Sequence, residues 1–216
     1  MCRFLMVKGK EKFSIEDFAI SFSQKCKESK EWQGDGWGIC WLNDQKEWET
    51  FKSLSPIWED LEKFKEFPKS EIFLVHARSS TFEKDKGNIE FNQPFVNKEI
   101  AFVFNGEIQG VRGIEVPGKI GSQKIFNLIK NYLKEYSIEK SILKTKEKIL
   151  KHSKKVKALN LGICDKKNFF LLSFYTCNKD YYELNYFVDD HFSIVSSEKI
   201  LKFNFKTIGN GEILIL

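Results

Sequence analysis

Met1-Cys2-Arg3-Phe4-Leu5-Met6-Val7-Lys8 opens the chain, a cysteine at the second position heading an apolar run that reads as a strand over Cys2–Lys8. Removal of the initiator methionine would leave a terminal cysteine carrying both a thiol and a free α-amino group. An α-amine titrates near pH ~8 and can serve as a neutral base, while a thiol needs only modest help to become a nucleophilic thiolate. Nucleophile and base then sit on one residue, as in the N-terminal-threonine form of this pairing. Taken alone, the residue reads more simply as a buried apolar cysteine at a strand start. Its meaning depends on what the later strands bring beside it.

Working outward, Ser14 with Asp17 three residues later resembles a capping arrangement, and Phe18, Phe22 and Cys26 recur at helical spacing to about Glu28. The glycine-dense Gln33-Gly34-Asp35-Gly36-Trp37-Gly38 leads into Ile39-Cys40-Trp41, and three glycines around Asp35 and Trp37 indicate close backbone approach. A strand over Trp48–Lys52 and a helix from Ser55-Pro56 through Phe64 follow. Ile72–His76 is an apolar strand running into Ala77-Arg78-Ser79-Ser80, and Ile100–Phe104 is another, ending at Asn105-Gly106. Two helices are expected over Ser122–Tyr136 and Ser137–His152. The remainder reads as strands at Val156–Cys164, Phe169–Tyr175, Tyr182–Phe187, Phe192–Ser196, Leu201–Ile208 and Glu212–Leu216, with hairpin turns at Asp165–Asn168 and Asn210-Gly211. Strands, then helices, then strands again suggest two antiparallel sheets packed face to face with helices outside, an α+β class. With no repeat or linker, residues 1–216 are expected to form one domain.

Totals narrow the function classes. The 216 residues are 42% hydrophobic and 15% aromatic, which excludes disorder. No apolar run approaches the ~20 residues that span a bilayer, and the start lacks a signal-peptide pattern, so a cytoplasmic protein without membrane contact is expected. Five cysteines without a pairing pattern fit reduced thiols, and without a CxxC or grouped histidines no metal site is expected. The net charge of +5 is mild and only Arg3, Arg78 and Arg112 are arginines, so no nucleic-acid partner is expected.

The polar motifs fall at strand ends. Acyl transfer to a thiol needs a nucleophile, a base and donors for the developing oxyanion. Cys2 with its amine supplies two of these. The Asn105 amide with the Gly106 backbone N–H could supply the third, although Asn-Gly is by itself a common hairpin turn. Arg78 could grip a carboxylate through two parallel N–H bonds, or form a surface ion pair. His76 reads as a hydrogen-bonded core histidine, and Asp35 as a stabiliser of its glycine turn.

Together, Met1-Cys2-Arg3, Gly34-Asp35-Gly36-Trp37-Gly38-Ile39, His76-Ala77-Arg78, Asn92-Gln93-Pro94-Phe95 and Phe104-Asn105-Gly106-Glu107-Ile108 resemble the motifs of class II glutamine amidotransferases, members of the N-terminal-nucleophile hydrolases, and the small stand-alone Met-Cys-Arg type above all. The resemblance covers about residues 1–130. It implies a four-layer αββα sandwich and, without any cofactor, attack by the Cys2 thiolate on the side-chain amide of glutamine or a γ-glutamyl compound. Asn105 and Gly106 would form the oxyanion hole, and Arg78 would hold the substrate's α-carboxylate. Asp35, Gly36, Trp37 and His76 would be structural residues near the site.

One position departs. Where that pattern has an aspartate for the substrate's α-ammonium, this chain reads Ile120-Gly121-Ser122-Gln123, placing Gly121 at the substrate-binding position. Either another acid substitutes, Glu115 being nearest in sequence, or free glutamine is not the substrate. A fold that binds without turnover is the alternative. In 216 residues there is no synthase domain, so the chain is expected to hydrolyse its substrate outright or to work with a separate ammonia-using partner.

Overall fold

The computed structural model describes all residues 1–216. In chain order its elements are β1 (Arg3–Phe13), α1 (Glu16–Lys27), β2 (Trp37–Leu42), β3 (Trp48–Ser53), β4 (Ser70–Ala77), β5 (Phe95–Val96), β6 (Ala101–Gln109), α2 (Gly121–Tyr132), α3 (Ile138–His152), β7 (Lys155–Cys164), β8 (Phe169–Leu172), α4 (Lys179–Tyr182), β9 (Asn185–Val188), β10 (Phe192–Ser196), β11 (Lys206–Thr207) and β12 (Ile213–Ile215), with short 3-10 turns between β3 and β5. Seven strands in the order β11-β9-β10-β1-β4-β2-β3 form one sheet and five in the order β12-β8-β7-β6-β5 the other. All pairings are antiparallel.

Three apolar clusters sit between four layers. Because strand side chains alternate faces, Leu5 and Val7 of β1 pack outward with Phe18 and Phe22 of α1, while Phe4 and Met6 face the second sheet's Val103 and Leu171. On the far side, Phe102 and Leu161 meet Phe126 and Ile129 of α2 and Ile142 of α3. This is the αββα sandwich, with β1 and β4 central in their sheet.

Five expected elements change. The helix expected after Pro56 breaks into 3-10 turns at Ile57–Glu59 and Leu61–Lys65, because the Asp60 carboxylate accepts from the buried Trp37 Nε1 at 2.9 Å and from Ser53 Oγ at 2.5 Å. The first long helix ends at Tyr132 rather than Tyr136. The strand expected at Leu201–Ile208 shrinks to Lys206–Thr207, since Leu201 has φ +51° and Phe203 and Phe205 pack against the outer cluster. Tyr182 belongs to a helical turn, so its strand begins at Asn185. Asn105-Gly106 does not end its strand either, because β6 continues to Gln109.

Candidate active site

A cavity of about 510 Å³ opens where the ends of β1 and β4 meet β6 and the start of α2. Cys2, Arg78, Gly106 and Gly121 line it together. Those four residues lie far apart in sequence and come from both sheets and a helix.

Cys2 directly precedes β1, and the alternation that turns Phe4 and Met6 between the sheets turns Cys2 the same way. Its thiol donates to the Ser79 carbonyl at 3.6 Å and accepts from the Ser79 N–H at 3.4 Å. Burial pushes the thiol pKa up, opposed by the Ser79 N–H, the terminal ammonium and the Arg78 guanidinium. Met1 lies against Ala158 and Tyr182, with its ammonium paired to Glu31 and donating to Ser79 Oγ at 2.9 Å. With Met1 in place the Cys2 nitrogen is an amide and has no basicity.

Arg78 follows the central strand β4. One guanidinium nitrogen donates to the Asp85 carbonyl at 2.6 Å and to Ser80 Oγ at 3.3 Å, while Nη1 is buried without a protein partner. The ring of Phe91 lies 5.6 Å from the guanidinium carbon. Asp35 secures this loop rather than its own glycine turn: its carboxylate accepts from the Ser80 N–H at 2.7 Å, and its N–H donates to the Arg78 carbonyl at 3.1 Å. The return bond runs from the Arg78 N–H to the Gly36 carbonyl at 2.8 Å. Gly36 has φ +108°, and a Cβ there would lie 2.3 Å from Asn92 Nδ2 and 2.6 Å from the Ser53 carbonyl, so no other residue fits. Trp37 is fully buried in the outer core and does not reach the cavity.

The β6 side is built differently. β5 covers β6 only at Ala101 and Phe102, leaving the rest of that edge without a neighbouring strand. Gln93 takes the missing strand's place: its Oε1 accepts from the Phe104 N–H at 2.6 Å and its Nε2 donates to the Phe104 carbonyl at 3.4 Å. His76 Nε2 donates to the same carbonyl at 3.3 Å. Desolvation holds the His76 pKa down to about 3, so the ring is neutral and structural. Hydrogen-bonding direction alternates along a strand, so Gly106, two residues beyond Phe104, turns its N–H to the same open edge, where it lines the cavity. A Cβ at Gly106 would stand 2.2 Å from the Ala158 carbonyl, which makes glycine obligatory. Asn105 lies behind the cavity lining, fully buried, and neither Nδ2 nor Oδ1 has a partner. A buried amide left open on both atoms is costly unless something else satisfies it.

Gly121 is the first residue of α2, and nothing lies within 4 Å of where its Cβ would stand. Gln123 closes that helix start, accepting from the Lys119 N–H at 2.9 Å. Glu115 is exposed and does not line the cavity; the acids that do are Asp85 and Glu107. Glu107 is held by Lys157 at 2.9 Å and by Gln109. Sequence reasoning missed Ser79, Asp85 and the Gln93 clamp. Only Gln93 carried a signal, through its place in Asn92-Gln93-Pro94-Phe95.

No family model and no curated protein matches the chain by sequence. Solved structures do match by shape. A glutamine aminotransferase class-II domain protein from Silicibacter pomeroyi superposes with a TM-score of 0.69 at 15% identity, over 99% of this chain and 94% of that one. The glutamine phosphoribosylpyrophosphate amidotransferase from B. subtilis gives 0.70 at 16%, over 99% of this chain and 47% of that one, so this chain spans about half its length. A predicted glutamine amidotransferase from Pseudomonas aeruginosa gives 0.54 at 14%, over 99% and 96%. The chain thus has the fold of the class II glutamine amidotransferase domains. No helix is long and apolar enough to cross a membrane.

Proposed function

We propose that residues 1–216 form one class II glutamine amidotransferase-like amidohydrolase domain, cytoplasmic and free of cofactor, that cleaves the side-chain amide of glutamine or a γ-glutamyl compound through a Cys2 thioester. The observation that carries this is the meeting of Cys2, Arg78 and Gly106 around one cavity, with the unpartnered Asn105 amide behind it. Methionine removal frees the α-amine of Cys2. That amine takes the thiol proton, directly or through a water, and Sγ attacks the amide carbon. The carbonyl oxygen becomes an oxyanion, received by the Gly106 N–H and by the Asn105 Nδ2, which must turn towards the cavity to reach it. When the C–N bond breaks, the α-ammonium protonates the leaving nitrogen, releasing ammonia. Water then cleaves the thioester, giving the free γ-carboxylate and regenerating the thiol. Arg78 Nη1, buried and unpaired, holds the substrate's α-carboxylate. Ammonia either diffuses away or passes to a separate partner protein.

The test is release of the free acid from glutamine and γ-glutamyl amides, compared with Cys2→Ala. Loss in the variant is expected, and equal rates in the two proteins would end this reading. A second reading, a binding module that does not turn over, draws on the Met1 ammonium held by Glu31 and Ser79. Retained Met1 in the purified protein, with ligand binding and no product, would establish it.

A further inference from the structure

Beyond Gly121 the site does not end. A second cavity of about 240 Å³ adjoins it, sharing Ile108, Ile120, Gly121 and Ile125 with the first and running on to Ile114, Leu128 and Ile149. Its walls are aliphatic side chains from the end of β6, from α2 and from α3, with charges only from Lys119 and Lys124. Gly121 stands at the junction with open space where a side chain would project. The two adjoining cavities thus differ in chemistry. One offers a buried guanidinium, with Asp85 beside it, and the other a pocket with aliphatic walls. On the β6 and α2 side the only acid is Glu107, already engaged by Lys157 and Gln109.

We propose that the substrate is an amide whose amino end bears an apolar acyl group. Its carboxylate sits on Arg78, its γ-amide at Cys2, and its N-acyl chain passes Gly121 into the aliphatic cavity. Acylation removes the ammonium charge, so no carboxylate is needed at position 121, and the chain fills space that a free amino acid leaves as water against aliphatic carbon. This substrate class rests on the amidohydrolase reading above, and its test separates the two.

Methionine-processed protein is assayed with glutamine, N-acetylglutamine and N-octanoylglutamine, and binding of glutamate and N-octanoylglutamate to the Cys2→Ala variant is measured by calorimetry. The expected result is a kcat/KM for the octanoyl compound at least tenfold above that for glutamine, the gain from burying about two methylenes. N-Octanoylglutamate should bind Cys2→Ala at least tenfold more tightly than glutamate, and Gly121→Asp should erase both preferences. Glutamine turned over as well as the octanoyl compound, or glutamate bound as tightly as its octanoyl form, overturns this substrate class and leaves the amidohydrolase reading standing. Undiminished turnover by Cys2→Ala overturns the amidohydrolase reading instead, and the calorimetric comparison still decides the acyl cavity.

Discussion

The cavity has two sides made in opposite ways. The Arg78 side is held by directed bonds: Asp35 to Ser80, Arg78 to Gly36 and Asp85, and Ser79 to Cys2. The Gly121 side presents aliphatic walls to the cavity, with Ile108, Ile120 and Ile125 around a glycine whose Cβ would meet nothing within 4 Å, and its hydrogen bonds, such as Lys119 to Gln123, lie behind that lining. A side fixed by hydrogen bonds defines where reacting atoms sit, because each bond constrains distance and angle. A side made of aliphatic contacts constrains only shape and polarity, and so selects what else the substrate may carry. On the proposed reading, chemistry is thereby separated from selection within one pocket.

Substitutions on the bonded side, and at the unpartnered Asn105 amide of β6, should break the reaction in proportion to how directly each group meets the reacting atoms. Cys2→Ala should lower kcat by about 10³-fold or more, since no other group can form the thioester. Asn105→Ala should lower kcat by about 10²–10³-fold, the worth of one oxyanion donor, with KM little changed. Arg78→Lys keeps the charge but loses the rigid guanidinium fork and its anchoring bonds to Asp85 and Ser80, and should raise KM roughly tenfold at nearly constant kcat. Steady-state rates on one γ-amide check all three. A Cys2-like loss for Arg78→Lys would erase the distinction between reacting and holding groups.

Smaller effects test the scaffold behind that side. Gly36→Ala should destabilise the fold by about 1–3 kcal/mol, read as a lowered denaturant midpoint, because a φ of +108° and the clash with Asn92 and Ser53 strain any side chain. His76 is neutral when folded, with its pKa lowered from 6.5 to about 3. Between those values the unfolded chain binds a proton that the folded chain refuses, so stability is full above pH ~6.5 and falls as the pH drops towards ~3. His76→Gln should flatten that decline in acid titrations of the melting temperature. In protein that retains Met1, the Cys2 thiol should react with iodoacetamide with a midpoint above the ordinary thiol value, as burial dictates, and Arg78→Ala should move the midpoint higher by removing a favourable charge.

The sequence singled out Cys2, Arg78 and Gly106, and the structure brings these three to one cavity, while Asn105 lies behind its lining. The alternating apolar runs also gave both sheets and the helical layers outside them. What stayed hidden depends on long-range pairing. Gln93 substitutes for a strand that β5 is too short to supply, and only the sheet order reveals that. Asp60 breaks a helix to satisfy Trp37 from 23 positions away, which no helical periodicity encodes. The meaning of Gly121 lay furthest from view, because open space beside a glycine has no signature in sequence.

The central claim is that Cys2 attacks from a free N-terminus. Intact-mass and peptide spectrometry of the purified protein, before and after exposure to a glutamine-like chloroketone, tests it most directly. The account predicts a chain that begins at Cys2 and gains one adduct on its Sγ, with Cys26, Cys40, Cys164 and Cys177 untouched. A chain that keeps Met1 and leaves Cys2 unlabelled would contradict it.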